Sequence, residues 1–368
     1  MTEIKLNGCR YMFRENCAVI ENKRIASGHY VLRLASIRIA KVAKPGQFVQ
    51  ILCSSATSPL LPRPFSFLTS TNRDFSVLFH VIGKGTELLS RAQKGDMFWA
   101  TGPLGNGFMA DRTTSGSRHS VATKSPKTLN NKILSAEGRT RLLYGGRFAQ
   151  DDVSFLLVGG GVGIPPLYHL ARELVKRKIA KDNIHVFLGA RDKTLLLCEK
   201  DFKMLGVKLH LATNNGSKGK RGFVTELLEE YLYRTSSDSR HSEATLRLRS
   251  GQAPSPKNLK NEILRFAQDD ANLSDGVRIY TCGPTPMLKT VSTIAKKYKV
   301  SCEVSVEEPM ACGFGACLGC AIKVRREDAS PCKGGSVIDP RLRGDDNYRY
   351  AIACTEGPVF QVSQILWE

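Results

Sequence analysis

Short alternating runs of apolar and polar residues fill the first hundred positions of the chain. Gly, Pro, Asn and Asp interrupt these runs at short intervals, as turns between short strands do. The strand-like runs are 17–25, 29–36, 46–53, 65–70, 75–83 and 96–103. Many short strands joined by tight turns are typical of an antiparallel barrel. We therefore predict a β-barrel domain over residues 1–110.

From residue 153 the hydrophobic pattern changes. The continuous apolar run 153–161 is typical of a buried parallel strand, and Leu167, Leu170 and Leu174 follow it with helical spacing. Strands at 183–191, 207–213 and 277–284 then alternate with helices at 200–206, 225–232 and 284–298. This alternation predicts an α/β domain with a doubly wound parallel sheet over residues 153–300. The remaining residues, 301–368, are rich in Cys and Gly and form a third predicted domain.

An internal repeat interrupts this architecture. The matching segments are 117–123 with 239–245, 125–134 with 255–264, and 147–152 with 265–270. Both copies are rich in Ser, Arg, Lys and Asn, and a third stretch shares their Arg-rich, Asp-Asp ending. Loops longer than roughly 15 residues are uncommon in compact domains. We therefore interpret 111–152, 234–275 and 328–346 as inserted loops.

Composition limits the classes of function. A net charge of +20 raises nucleic acid as a partner, but no recognition motif or basic stripe with interleaved aromatic residues accompanies it, so we expect no nucleic-acid binding. No apolar run reaches the roughly 18 residues that suggest a membrane span, and the first residues lack a signal-peptide pattern. We expect a cytoplasmic protein, in which most of the 11 cysteines are free thiols or metal ligands.

Three of these cysteines have the spacing of an iron–sulfur site. Cys312, Cys317 and Cys320 form C-x4-C-x2-C, the pattern of plant-type [2Fe-2S] ligation, with glycines that let backbone amides approach the sulfurs. The fourth ligand is Cys332 or Cys354, and we choose Cys354 because Cys332 lies inside a predicted insertion. Four thiolates also bind zinc, so a zinc-stabilised binding module with no redox role is the alternative.

Two further regions carry residues suited to nucleotide cofactors. Arg63, Pro64, Phe65 and Ser66 combine a forked phosphate donor, a rigid turn and a hydroxyl, and Gly85 with Thr86 follow at the start of a predicted helix. In the α/β domain, Gly160, Gly161, Val162 and Gly163 lie between a buried strand and a helix, where backbone amides receive dinucleotide phosphates. Cys282 and Gly283 end another strand of the same predicted sheet.

The order R-P-F-S, G-K-G-T, G-G-G-V-G-I-P-P and C-G-P-x-x-M resembles the ferredoxin-NADP reductase superfamily. Within it, the terminal M-A-C-G-F-G-A-C-L-G-C and C-T-E-G-P-V-F resemble the electron-transfer subunits of type B dihydroorotate dehydrogenases. The resemblance implies an FAD-binding barrel, an NAD-binding domain and a [2Fe-2S] domain. It also implies a partner subunit that holds FMN, oxidises dihydroorotate in pyrimidine biosynthesis, and assembles as a heterotetramer of two copies of each subunit.

Site residues follow from the resemblance position by position. The FAD site would comprise Arg63, Pro64, Phe65, Ser66, Leu78, Phe79, His80, Gly85 and Thr86, and the NAD site would comprise Gly160, Gly161, Val162, Gly163, Cys282 and Gly283. His80 stands where the family more often has Arg. Electrons would pass from FMN through the cluster and FAD to NAD, and this chain would contribute no acid–base residue for dihydroorotate. The flavin subunit of a sulfide dehydrogenase or hydrogenase complex shares these domains and is the second alternative.

Overall fold

The computed structural model describes residues 3–6, 10–54, 58–109, 153–249, 276–326 and 347–367. The predicted insertions 111–152 and 328–346 lie outside the described residues, as do residues 250–275 of the remaining one.

The N-terminal part forms the expected antiparallel barrel. Its strands are β1 (Glu3–Leu6), β2 (Arg10–Ala26), β3 (His29–Ala35), β4 (Phe48–Leu52), β5 (Arg63–Ser70), β6 (Asp74–His80) and β7 (Met97–Leu104). They are ordered β1-β2-β3-β6-β5-β4-β7, and β7 pairs back to β2, so that six strands close into a barrel and β1 extends it. Helices α1 (Arg38–Val42) and α2 (Lys84–Ser90) lie in the connections. Leu32, Phe67 and Phe75 are among the fully buried residues of the barrel core.

The second part is the predicted doubly wound sheet. Its strands are β8 (Ser154–Gly160), β9 (Ile184–Ala190), β10 (Lys208–Thr213), β11 (Lys220–Arg221), β12 (Val277–Cys282) and β13 (Ser301–Ser305). Its helices are α3 (Ile164–Lys176), α4 (Glu199–Leu205), α5 (Val224–Arg249) and α6 (Thr285–Lys297). The order β11-β10-β9-β8-β12-β13 is parallel throughout. Because the chain runs outward from β8 and then returns to β12, the switch point of the sheet lies between these two strands.

The C-terminal part is divided between two sheets. Strands β14 (Ala321–Arg325) and β15 (Tyr348–Ile352) form an antiparallel hairpin of their own. Strand β13, in contrast, pairs with β12, and β16 (Val359–Gln361) pairs antiparallel with β13. Both fall within 301–368, although they belong to the α/β sheet. The reason is burial: the inward residues of β13, Cys302 and Val304, complete the core beside β12.

The predicted inserted loop 234–275 is wrong in its first part. Helix α5 continues to Arg249, so residues 234–249 are helical and extend the helix predicted at 225–232. This stretch contains no Gly or Pro, the residues that most often end a helix, so nothing in it interrupts α5.

Among the described residues, no helix combines the length and the apolar character needed to cross a bilayer.

Helix α3 joins the barrel to the α/β domain. Leu68, Leu78 and Phe108 of the barrel belong to the same apolar core as Leu167 and Leu170 of α3. At the edge of this core, the Nε2 atom of the buried His169 lies 3.2 Å from the Ser70 hydroxyl of β5. The two domains therefore share a continuous core.

We expect His169 to make the protein less stable in acid. Burial, with a smaller contribution from Arg172 and Lys176, lowers the pKa of His169 to about 3. An unfolded histidine has a pKa of about 6.5, so the unfolded state binds the extra proton first and stability falls as the pH falls below that value. Between pH 7 and pH 5 this single group should cost about 2 kcal/mol of unfolding free energy.

The measurement is urea unfolding of the wild type and of His169→Gln at both pH values. Glutamine keeps a polar partner for Ser70 but does not titrate. The stability lost on acidification should therefore be about 2 kcal/mol smaller in the variant. An equal loss in both proteins would show that His169 is not a source of the acid sensitivity.

Candidate functional site: a cavity between two domains and a cysteine loop

A cavity of about 500 Å³ lies where the barrel, the switch point of the sheet and the segment after β13 meet. Every residue predicted for FAD lines it: Arg63, Pro64, Phe65, Ser66, Leu78, Phe79, His80, Gly85 and Thr86. Val162 and Cys282 line the same cavity from the α/β side, and Glu307 and Met310 line it from the C-terminal segment. The structure thus brings all the predicted FAD residues together with two of the six predicted NAD residues, whereas Gly160, Gly161, Gly163 and Gly283 do not line this cavity.

Strand pairing explains how the barrel presents its residues. Residues Arg63 to Ser66 begin β5 and pair with Phe48 to Ile51 of β4. Across from them, α2 begins beside Arg63: a Cβ atom on Gly85 would lie 3.2 Å from Arg63 Nε. Glycine at this position therefore leaves room for the guanidinium and for a ligand group next to it. Thr86 stabilises the turn, because its Oγ1 atom accepts the backbone N–H of Ile82 at 3.0 Å.

His80 gives this site a different charge from the one that the family pattern implies. Its ring stacks on that of His29 with 4.3 Å between centroids. Burial and the neighbouring His29 both lower the pKa of His80, so the ring is neutral at pH 7. A neutral imidazole forms hydrogen bonds but no ion pair with a phosphate. On the barrel side of the cavity, the arginine that can form such an ion pair is therefore Arg63.

The glycine-rich turn after β8 lies against the end of β12. Cys282 pairs with Gly159 in the sheet, and a Cβ atom on Gly163 would overlap the backbone of Cys282 and Gly283. Gly161 has a φ of +58°, and a Cβ atom there would have no neighbour within 4 Å. The two strand ends thus form a surface made mostly of backbone at the switch point, the place where doubly wound sheets bind nucleotides. These contacts suit the predicted dinucleotide role of Gly160 to Gly163.

Sequence reasoning missed the carboxylates of this cavity. Glu307 and Glu308 line it, and burial raises the pKa of both. Burial, followed by the charge of Glu307, also raises the pKa of the Cys282 thiol, against a hydrogen bond with Ser305. Ser305 ends β13, and both glutamates follow it closely. Recognition of 301–305 as a parallel strand would have pointed to them, because polar residues after such strands line ligand sites.

The four predicted cluster ligands come together in two adjacent pairs. The backbone N–H of Cys317 donates to Cys312 Sγ at 3.4 Å, and that of Cys354 donates to Cys320 Sγ at 3.4 Å. The backbone N–H of Gly315, between the first two cysteines, acts to lower the pKa of Cys354, so the loop of the first pair lies next to the second pair. Cys320 and Cys354 are buried, whereas Cys317 is exposed. The group therefore has a buried side and a side that faces solvent.

These sulfurs fit a cluster of two irons. The neighbouring Cys354 thiol lowers the pKa of Cys320 to about 6, and the same contact raises the pKa of Cys354. Burial opposes ionisation of Cys312, but backbone N–H groups of Cys317 and Phe314 outweigh it and lower its pKa. Two pairs of thiolates match an iron pair with two cysteines on each iron.

Comparison with known proteins agrees with this arrangement. Residues 307–341 match the model of the iron–sulfur cluster binding domain of dihydroorotate dehydrogenase B, and residues 157–246 match an oxidoreductase NAD-binding domain. The chain is 31% identical to the dihydroorotate dehydrogenase B (NAD(+)) electron transfer subunit of Desulforamulus reducens, over 94% of this chain and 95% of that one. It is 30% identical to the subunit of the same name from Caldanaerobacter subterraneus, over 95% and 97%.

A solved structure shows the same fold. The NADH-dependent reduced ferredoxin-NADP oxidoreductase, described in a study of flavin-based electron bifurcation, aligns with a TM-score of 0.60 at 22% identity. The alignment covers 95% of this chain and 90% of that one.

Fold and site together define a flavoprotein oxidoreductase chain with an FAD-type barrel, an NAD-binding domain and an iron–sulfur domain. More particularly, the chain belongs to the family of dihydroorotate dehydrogenase B (NAD(+)) electron transfer subunits. This confirms the resemblance found in the sequence.

Proposed function

We propose that this chain carries electrons from a partner subunit to NAD+ by way of a [2Fe-2S] cluster and FAD. The cluster is held by Cys312, Cys317, Cys320 and Cys354, and FAD occupies the 500 Å³ cavity. Flavin supplies the chemistry needed at this junction, because a cluster exchanges one electron at a time whereas nicotinamide takes two as hydride. The electrons come from dihydroorotate, which the partner oxidises to orotate in pyrimidine biosynthesis.

The observation that carries this proposal is that one short segment runs directly from the cavity to the first cluster cysteine. Glu307, Glu308, Pro309 and Met310 line the cavity, and Cys312 follows two residues later. A flavin in the cavity and a cluster on the cysteine loop are therefore neighbours along the chain and in space. This proximity supports direct passage of electrons between them.

The remaining site residues bind and orient the nucleotides. Arg63 donates to the pyrophosphate of FAD, and Ser66 lies on the same strand as a hydrogen-bond partner for the flavin. The backbone of Gly160 to Gly163 receives the phosphates of NAD at the start of α3. Cys282 and Glu307 line the same cavity and would face the bound nucleotides.

The partner binds at the exposed side of the cysteine loop. Cys317 is exposed there, and Phe314 of the same loop is 52% exposed. A partner that holds FMN next to this loop receives no acid–base residue from this chain, so the oxidation of dihydroorotate takes place entirely in the partner. The assembly is a cytoplasmic heterotetramer with two copies of each subunit.

Reconstitution tests the proposal. The purified chain alone should be brown, contain flavin and iron, and oxidise NADH with ferricyanide but not reduce NAD+ with dihydroorotate. Addition of an FMN-containing dihydroorotate dehydrogenase subunit should produce dihydroorotate-dependent reduction of NAD+. If the chain instead captures a subunit of a sulfide dehydrogenase or hydrogenase, it belongs to that complex. If the purified chain is colourless and contains zinc, it has no redox role.

A further inference from the structure

We infer that Gln50 of the barrel is a positioning residue for the cluster, which fixes the Cys312 side of the cysteine loop relative to the flavin cavity. The inference rests on the proposed function, because it assigns Gln50 a part in electron passage between the two centres.

Gln50 contacts the loop on both sides of a cluster ligand. Its side-chain Nε2 atom donates to the backbone oxygen of Ala311 at 3.2 Å. Its amide also packs against Gly313, where a Cβ atom would lie 2.5 Å from Gln50 Cδ. Ala311 and Gly313 are the two chain neighbours of Cys312, so a single side chain from the barrel holds the backbone that carries this ligand.

The barrel holds Gln50 in place from both sides. Strand β4 is an inner strand, and Gln50 pairs with Pro64 of β5 and with Thr101 of β7. Pro64 lines the flavin cavity, so the strand pair that positions flavin residues also positions Gln50. On the loop side, Met310 lines the cavity and directly precedes Ala311. Gln50 is therefore linked to the cavity wall in two ways. It pairs with Pro64 on β5, and it holds Ala311, which lies between the cavity residue Met310 and Cys312.

Burial argues that this amide has a specific task. Gln50 is 3% exposed, and a buried amide is favourable only when it is hydrogen-bonded. An aliphatic residue would serve β4 equally well if packing were the only demand. The contact also requires glycine at position 313, which has a φ of +79° and leaves the space that the amide fills. The buried amide of Gln50 therefore fills the space that Gly313, which has no side chain, leaves open.

The test compares Gln50→Met with Gln47→Met. Gln47 is the control, since its Nε2 atom also donates to a backbone oxygen, that of Gly105 at 2.9 Å, and not to either chain neighbour of Cys312. Loss of a hydrogen bond that orients a metal-binding loop typically weakens function about 10- to 100-fold. In stopped-flow mixing with NADH, Gln50→Met should slow reduction of the cluster by about tenfold or more relative to reduction of the flavin in the same trace.

A second readout is independent of turnover. The paramagnetic spectrum of the dithionite-reduced cluster should broaden in Gln50→Met, because Cys312 is no longer held in one position, and should keep its wild-type shape in Gln47→Met. If Gln50→Met does not fold, Gln50→Asn keeps an amide but is one methylene too short to reach Ala311, so it should give the same broadening. Spectra and rates equal to those of Gln47→Met would overturn the inference. A wild-type chain whose cluster never exchanges electrons with flavin would overturn the proposed function, and the spectrum would still test Gln50.

Discussion

Cys354→Ser should remove most of the iron from this protein while leaving its flavin bound. The backbone N–H of Cys354 donates to Cys320 Sγ at 3.4 Å, and the backbone of Gly315 is close enough to affect the pKa of Cys354, so Cys354 belongs to the sulfur group around the cluster. A serine hydroxyl loses its proton far less readily than a thiol, and the alkoxide is a harder donor than a thiolate, so serine binds iron poorly in such a site. The flavin cavity is lined by other residues and should keep its ligand.

The matched control for this variant is Cys332→Ser. Cys332 was the rival for the fourth ligand position and lies outside the described residues. Iron and flavin are measured on the purified proteins, together with NADH oxidation by ferricyanide. Cys332→Ser should retain its full iron content, and Cys354→Ser should retain NADH oxidation without iron. If iron is lost from Cys332→Ser and retained in Cys354→Ser, the ligand assignment is contradicted.

Gly163→Ala should produce the second large effect, on the NAD side. The new Cβ atom would overlap backbone atoms of Cys282 and Gly283, which are fixed by the pairing of β8 with β12. Because backbone cannot move aside as a flexible side chain does, we expect a loss of about 1–3 kcal/mol in the free energy of unfolding. Separation of the two strand ends should also weaken NADH binding, measured as the concentration that gives half-maximal flavin reduction.

Gly161→Ala provides the comparison on the same turn. A Cβ atom at Gly161 meets no atom of the chain within 4 Å, so the penalty to folding comes from its left-handed φ of +58°. That conformation costs a non-glycine residue roughly 1–2 kcal/mol and leaves the contact with β12 intact. NADH binding should therefore be weaker in Gly163→Ala than in Gly161→Ala. The reverse order would show that the close approach of β8 and β12 does not shape the NAD site.

Features that repeat along the sequence could be predicted from it. The barrel follows from short strands separated by turn residues, and the α/β sheet follows from buried strands alternating with helices. The spacing of Cys312, Cys317 and Cys320 depends on local chain geometry alone, so it indicates their chemistry without knowledge of the fold. The choice of Cys354 required one structural argument, the removal of 328–346, and the structure places this residue beside Cys320.

Features that depend on distant contacts could not be predicted. Strand β13 is short and resembles its Cys-rich surroundings, and only its pairing with β12 assigns it to the α/β sheet. Glu307 was missed for the same reason, because its place in the cavity follows from the end of β13. Gln50 acts on residues that lie 261 positions away, a relation that no local pattern contains. The continuation of α5 to Arg249 was hidden because the repeat suggested an insertion at 234.

The proposed function requires that electrons move between the iron–sulfur cluster and the flavin within one chain. The most direct test is to reduce the purified protein with dithionite, remove the excess, and mix it with NAD+ without oxygen. We expect the paramagnetic signal of the reduced cluster to disappear as NADH forms. A signal that persists in the presence of NAD+, or a protein that never shows such a signal, would contradict the account.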